Sequence, residues 1–351
     1  MANIRDVAKS AGVSIATVSA ALNESGRVSD ETRRRVWAAA EAVGYSPNSF
    51  ARSLRLGKSR LIGVVVADIA NPFWGAMVRI VEKAAIAAGY SVIVSDIDDD
   101  ETRVPSILDH LRSQHVAGIL LTPVGHAANI LKQIESRKLP PLVTVDQRVP
   151  GLARDFIGVD NRATIRMLVE YLLRLGHRRI AMISGGEGLW TADERLSGFV
   201  ETMSGAGVEV DSSLCLRASY KGDGAYAATT SLLTRPDRPT AIIGANNAIA
   251  LNALQVIFDL GFHCPGDVSL AGIDDVPWSG LVRPRVTTAA QPINDISAVA
   301  IEWLLERIMA PDDVAPPRER IFHPYFIAGD SCRDIRGEAG ARQAAGQMAR
   351  S

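Results

Sequence analysis

Apolar residues near the start of the chain recur at helical spacing. Ile4, Val7, Ala8 and Ala11 fall at i, i+3, i+4 and i+7, one face of a short helix. Gly12 ends it, because glycine takes up the left-handed conformation that a tight turn needs. Ser14 then serves as N-cap for a second helix over residues 15–23, with Val18, Ala21 and Leu22 facing inward. A third helix is expected over residues 30–43. Ser29 caps it, Asp30 and Glu31 suit the positive end of its dipole, and Val36, Ala40 and Val43 form its inner stripe, while Arg33, Arg34 and Arg35 fan outward. Two helices joined by a three-residue turn around a glycine make a helix-turn-helix.

The pattern then breaks at Gly44-Tyr45-Ser46-Pro47. Between Pro47 and Gly57 lies room for about two and a half helical turns. So short a helix is marginal in water because its nucleation is costly. This segment is therefore expected to form its helix only when a partner stabilises it.

From Leu61 the period changes. Leu61-Ile62-Gly63-Val64-Val65-Val66 is a continuous apolar run, the signature of a parallel strand buried on both faces. A helical stretch over residues 73–88 follows, then the strand Ser91-Val92-Ile93-Val94. Further strands are expected at 118–121, 142–145, 180–183, 241–243 and 268–270. Strands alternating with helices over so many residues indicate doubly wound parallel sheets, and the length calls for two lobes. The pattern so far predicts a small all-α head and a conditional short helix, joined to a two-lobed α/β domain.

Charge sharpens this division. The net charge of −1 conceals a head with ten Lys/Arg against five Asp/Glu in residues 1–60, and a remainder with 28 against 34. A basic head on an acidic body fits a polyanion that meets only the head. No apolar run approaches the ~18 residues of a membrane span, and the first residues lack an apolar signal region, so a cytoplasmic location is expected, with no membrane partner. Cys215, Cys264 and Cys332 are scattered and odd in number, with no disulfide framework or metal-ligand spacing. The chain shows no glycine-rich phosphate loop, no Gly-x-Ser-x-Gly elbow and no metal-spaced set. His177 precedes a strand rather than following one, which suits a structural histidine. An enzyme is not expected, nor a metal or cofactor.

The head motifs Ile4-Arg5-Asp6-Val7-Ala8-Lys9, Gly12-Val13-Ser14, Thr17-Val18-Ser19, Leu22-Asn23, Gly44-Tyr45-Ser46-Pro47-Asn48 and Ala51-Arg52-Ser53-Leu54 resemble those of the lac repressor/purine repressor (LacI/GalR) family. The similarity runs on through about residue 330. It implies a small all-α helix-turn-helix head with a hinge helix, joined to a two-lobed α/β domain of doubly wound parallel sheets of the periplasmic-binding-protein type. The boundaries implied are 1–46 for the head, 47–60 for the hinge, 61–161 plus 292–325 for the first lobe, 162–291 plus 326–336 for the second, and 337–351 for a loose tail. The resemblance implies a transcriptional repressor that binds a pseudo-palindromic operator in double-stranded DNA as a homodimer, with the second helix of each head in the major groove. Paired hinge helices would insert Leu54 into the minor groove, with Arg55 beside it. The resemblance also implies a small-molecule effector, a sugar or sugar derivative, in the cleft between the lobes. The residues it points to there are Phe73, Trp74, Asp146, Asp160, Thr191, Arg195, Tyr220, Asn246, Asp274 and Gln291. Asn247 stands where many members carry aspartate, and Trp190 adds an aromatic beside the arginine loop; both are expected to bear on whether the ligand is a sugar or partly anionic. Without leucine heptads in the tail, a dimer rather than a tetramer is expected.

The DNA-contacting positions implied are Ile15, Ala16, Thr17, Ser19, Ala20, Asn23, Asn48, Leu54 and Arg55. The positions that usually choose the operator correspond to Ile15, Ala16 and Ala20, all apolar. They can touch thymine methyls or exclude bases by shape, but cannot form bidentate hydrogen bonds. The step read by Leu54 is therefore expected to carry a large share of the specificity. In a competition binding assay Leu54→Ala should lose more discrimination than Ala20→Ser; equal losses would contradict this.

Overall fold

The computed structural model describes residues 2–22, 28–45, 59–220, 224–277, 279–310 and 315–337. The chain divides into two compact units, Met1–Ser59 and Arg60–Ser351. In the first, α1 (Ile4–Ala11), α2 (Ile15–Leu22) and α3 (Asp30–Ala42) enclose a core that includes Val7, Ala11, Val18, Leu22, Val36 and Ala40. The stops and starts are local chemistry. Asn3 and Asp6 form a capping box on α1, and Gly12 takes φ 65° at its C-cap. The Ser14 hydroxyl accepts the Thr17 N–H at 3.1 Å, and that of Ser29 accepts the Thr32 N–H at 3.3 Å. Ala39 joins the inner stripe of α3, whereas Val43 is its half-buried C-cap. The arginine triplet does not fan out uniformly. Arg34 and Arg35 are exposed, but Arg33 is half-buried and lies 3.7 Å from Asp30. The positions Asn23, Asn48, Leu54 and Arg55, the expected hinge helix and the tail beyond residue 337 lie outside the described residues.

The second unit holds two six-stranded sheets. The first contains β1 (Leu61–Val66), β2 (Ser91–Asp96), β3 (Gly118–Leu121), β4 (Leu142–Val145), β5 (Asp155–Val159) and β11 (Glu319–Phe322), in the order β11-β5-β4-β3-β1-β2. The second contains β6 (Ile180–Ser184), β7 (Cys215–Arg217), β8 (Ala241–Gly244), β9 (Ser269–Ile273), β10 (Thr287–Ala290) and β12 (Tyr325–Ile327), in the order β12-β10-β9-β8-β6-β7. The two orders superpose strand for strand, β1 on β6 through β5 on β10. All pairings are parallel except β10 with β12, a short antiparallel edge. Helices α4 (Pro72–Ala87), α5 (Val104–Ser113) and α6 (Ala127–Glu135) accompany the first sheet. Helices α7 (Asn161–Arg174), α8 (Trp190–Gly205), α9 (Gly224–Leu233) and α10 (Asn247–Asp259) accompany the second.

The chain passes between lobes three times: from β5 into α7, from β10 into α11 (Ile293–Met309), and from β11 to β12. The second passage works because α11 can lie close on β3. A Cβ on Gly118 would come within 2.8 Å of Leu304 and Ile308, so glycine is what admits the returning helix. The outer strand β11 is then fastened by Asp155, whose side chain is 1% exposed. Its carboxylate accepts from Arg307 at 2.8 and 3.1 Å and from Arg318 at 2.9 and 3.2 Å, and also from the Arg318 backbone N–H. Burial would raise this carboxyl, but the guanidinium hydrogen bonds hold it below the ordinary carboxylate range.

Asp155→Ala leaves two guanidinium groups without their shared acceptor and should destabilise the body by about 3 kcal/mol at neutral pH in denaturant unfolding. Because the native carboxyl is depressed, its contribution is present above the ordinary carboxylate range and lost as pH falls below it. The gap between variant and wild type should therefore narrow in acid.

Candidate functional site

In the head, the solvent-facing side of α2 carries the positions expected to choose the operator. Ile15 is 45% exposed, Ala16 is exposed, and Thr17, Ser19 and Ala20 are half-buried. The Thr17 hydroxyl shares a 2.9 Å hydrogen bond with that of Ser14.

In the body, the cleft lies at the carboxyl ends of the strands of both sheets, where ligands bind in open α/β folds. From the first lobe, β1 leads to Asp68 and, across a turn, to Asn71, Phe73 and Trp74. The ends of β2, β3 and β4 supply Asp99, Thr122, and Asp146 with Gln147. From the second lobe come Thr191 and Arg195 on the first turns of α8, Tyr220 after β7, Asn246 after β8, Asp274 after β9 and Gln291 after β10.

Asp146 and Asp274 occupy corresponding places in the two sheets, and their backbones match. Each has φ 69°, uncommon for a residue other than glycine. Each donates its N–H to the neighbouring strand, Asp146 to Ile157 O at 2.9 Å and Asp274 to Ala289 O at 3.0 Å. This left-handed turn at the strand end directs one carboxylate from each lobe into the cleft. Arg195, only 3% exposed, is fixed by Nε to Asn161 Oδ1 and by Nη1 to Ala245 O, both at 2.7 Å. Burial pushes the Asp146 carboxyl up, and Arg195 opposes this. Burial likewise pushes Asp274 up to about 6, against Arg195 and the Gln291 amide, which donates at 3.0 Å, while Asp146 reinforces the rise. Burial also raises the Tyr220 phenol. The hydroxyls of Tyr220 and Thr122 are buried with no hydrogen-bond partner among the described residues, one in each lobe.

Nine of the ten residues expected in the cleft line it. Asp160 does not. It caps α7, accepting the Ala163 N–H at 2.8 Å, because the crossing at β5 starts a helix immediately. Its neighbour Asn161 orients Arg195 instead. Trp74 is only partly a cleft residue: it is 7% exposed, belongs to the first-lobe core, and meets Phe73 edge-on at 4.9 Å. Asp68, Asn71, Asp99, Thr122 and Gln147 were not foreseen. Thr122 and Asp99 were within reach of the strand-end rule that found Asp146 and Asp274.

Asn247 and Trp190 take a different part from the one expected of them. Asn247 and Asn71 form a reciprocal amide pair across the lobes, with N···O distances of 3.1 and 2.9 Å. Trp190 reaches across to Phe156, edge-on at 5.7 Å. A second bridge joins Gln147 to Thr191, through the threonine hydroxyl at 2.8 Å and its N–H at 3.2 Å. These residues fasten lobe to lobe. Elsewhere, His177 is fully buried between Thr240 Oγ1 and Arg333 O, the structural role expected of it. Asp68, Asp96 and Asp98 bring carboxylate oxygens within 4.8 Å of one another. Asp96 Oδ1 accepts from the N–H groups of Ile69 and Asp98, and Asp68 Oδ1 from that of Ala70, so they brace the loops beside the cleft.

A helix-turn-helix head carried by a two-lobed binding body, with its polar groups converging between the lobes, defines a regulator rather than a catalyst. Comparison with known proteins agrees. Residues 3–48 match the model for bacterial regulatory proteins of the lacI family, and residues 169–332 that for a periplasmic binding protein-like domain. The transcriptional regulator GalR of Escherichia coli (strain K12) is 31% identical over 331 residues, covering 93% of this chain and 94% of its own. The structure of the lac repressor dimer bound to operator and the anti-inducer ONPF has TM-score 0.82 at 25% identity, covering 95% of this chain and 99% of that one. A complex of the regulator CelR with cellobiose has TM-score 0.70 at 27% identity, covering 94% and 100%. The chain belongs to the lacI family of bacterial regulatory proteins. It is a DNA-binding transcriptional repressor under effector control, and not an enzyme. Among the described residues no helix is long and apolar enough to cross a membrane.

Asp274 links the stability of the body to pH. A native carboxyl raised to about 6 holds a proton that the unfolded chain releases, so stability of the effector-free protein falls as pH rises from the ordinary carboxylate range through about 6. Asp274→Asn removes that loss. Its melting temperature should exceed that of wild type by a few degrees at pH 7.5, for a gain on the order of 2 kcal/mol, and match it near pH 4. A lower melting temperature at pH 7.5 would show that the buried charge does not oppose folding.

Proposed function

We propose that this protein represses transcription as a homodimer on a pseudo-palindromic operator, in the cytoplasm of a bacterium. Its effector is an uncharged, hydroxylated molecule, a sugar or sugar derivative, held between the lobes. The observation that carries the ligand class is the balance of charge. The cleft is lined by Asp68, Asp99, Asp146 and Asp274 against the single guanidinium of Arg195, two of whose donors are already engaged. A phosphate or carboxylate would face net repulsion there, whereas sugar hydroxyls can donate to the carboxylates and accept from Arg195 and Asn246. The unpartnered hydroxyls of Thr122 and Tyr220 fit the same chemistry, and Phe73 offers a ring edge. The cellobiose complex of CelR is a precedent for a sugar in this fold.

In this reading the head comprises residues 1–46, and 47–60 form the hinge that carries Leu54 and Arg55 to DNA. Effector binding shifts DNA affinity because it favours one lobe arrangement over the other.

A thermal-shift panel on the full chain tests the ligand class, with neutral sugars, sugar acids, sugar phosphates and nucleobases as arms. At 100 times its dissociation constant a true effector stabilises by about 2.7 kcal/mol. A neutral sugar should give that shift and alter the retardation of operator DNA in a gel. Stabilisation by the anionic compounds or the nucleobases alone would overturn the assignment.

A further inference from the structure

We infer that the second helix of the head reads its half-site through the 5-methyl groups of pyrimidines, without regard to whether the base is thymine or 5-methylcytosine. This rests on the operator-binding reading and adds what the protein reads there. Ile15 opens α2 and is 45% exposed, a large apolar side chain on the surface of a basic unit. Ala16 beside it is exposed as well, and Ala20, one turn further along, is half-buried. The polar groups beside them in sequence are Ser14, Thr17 and Ser19; the Ser14 hydroxyl caps the helix and shares a 2.9 Å hydrogen bond with that of Thr17. Val18, Ala21 and Leu22 are turned into the core.

At Ile15 and Ala16 the outward first turn of the helix thus offers hydrocarbon alone, while the hydroxyls of Ser14 and Thr17 beside them are turned to each other. On the major-groove edge of B-DNA the one apolar feature is the methyl at C5 of thymine, and every other landmark is a donor or acceptor. Against a donor or acceptor, Ile15 would strip away water without replacing its hydrogen bond. Against a methyl, both surfaces gain by leaving water.

Thymine and 5-methylcytosine carry the same methyl at the same place. They differ at position 4, where one accepts and the other donates a hydrogen bond. A side chain with no polar atom does not register that difference. Methylation of a cytosine opposite Ile15 therefore converts a poor contact into one equivalent to thymine, which makes the helix responsive to cytosine methylation at that position.

The test begins by selecting an operator from random duplexes with the full-length protein, then measures fluorescence anisotropy at fixed salt. At each half-site position, thymine is compared with deoxyuridine against the same adenine, and 5-methylcytosine with cytosine against the same guanine. At the position facing Ile15, removing the methyl in either comparison should weaken binding about fourfold in one half-site, and about sixteenfold when both are changed. In Ile15→Ala, a substitution at an exposed position, both ratios should fall toward one while the melting temperature stays that of wild type. If deoxyuridine binds as well as thymine at every selected position, the inference is overturned. If selection yields no preferred sequence, it is the operator reading that fails.

Discussion

Arg195 is a guanidinium almost wholly removed from water, and the rest of the body is arranged around the need to keep it there. Its Nε and Nη1 are fixed by Asn161, at the first passage between the lobes, and by the carbonyl of Ala245 at the end of β8. Its counter-charges come from both sides: Asp274 belongs to its own lobe and Asp146 to the other. Neither carboxylate is fully satisfied by the guanidinium, since both are pushed upward by burial despite it. A cleft of this kind holds unspent hydrogen-bonding capacity, which in the proposed function a ligand carrying several hydroxyls absorbs. Because one carboxylate is borne by each lobe, absorbing it also fixes the spacing of the lobes.

The passages between lobes give that spacing mechanical meaning. In the first lobe the elements beside the crossings are firmly attached: β5 and β11 are locked by Asp155 with Arg307 and Arg318, and the return of α11 is seated at Gly118. The effector's leverage on DNA binding is its differential affinity for the arrangements the crossings allow.

Much of this could be read from the sequence, and the parts that could not share a cause. The head helices and the strand runs follow from apolar periodicity and punctuation, which are local, whereas the three passages come with the family resemblance. Asp146 and Asp274 were identifiable because they end apolar runs. Asp160 stands in the same kind of place, yet it is spent on capping α7, a choice set by how abruptly that helix begins. Asn247 and Trp190 looked like determinants of the ligand because they neighbour ligand positions in sequence. Their partners, Asn71 and Phe156, lie far off in the chain and in the opposite lobe, and no period or motif encodes such a pairing. Arg33 makes the same point on a small scale, since the burial that separates it from Arg34 and Arg35 depends on neighbouring helices.

The bridges from lobe to lobe, Asn71 with Asn247 and Gln147 with Thr191, are all between uncharged groups. Dissolved salt scarcely screens such bonds, while a repressor's hold on DNA phosphates weakens steeply as counterions become plentiful. The two halves of the switch therefore answer to different features of the cell's interior. A rise in salt would loosen the head from DNA while leaving these hydrogen-bonded bridges as they were. What the cleft reports about its ligand is in this way insulated from the ionic weather that the head must endure.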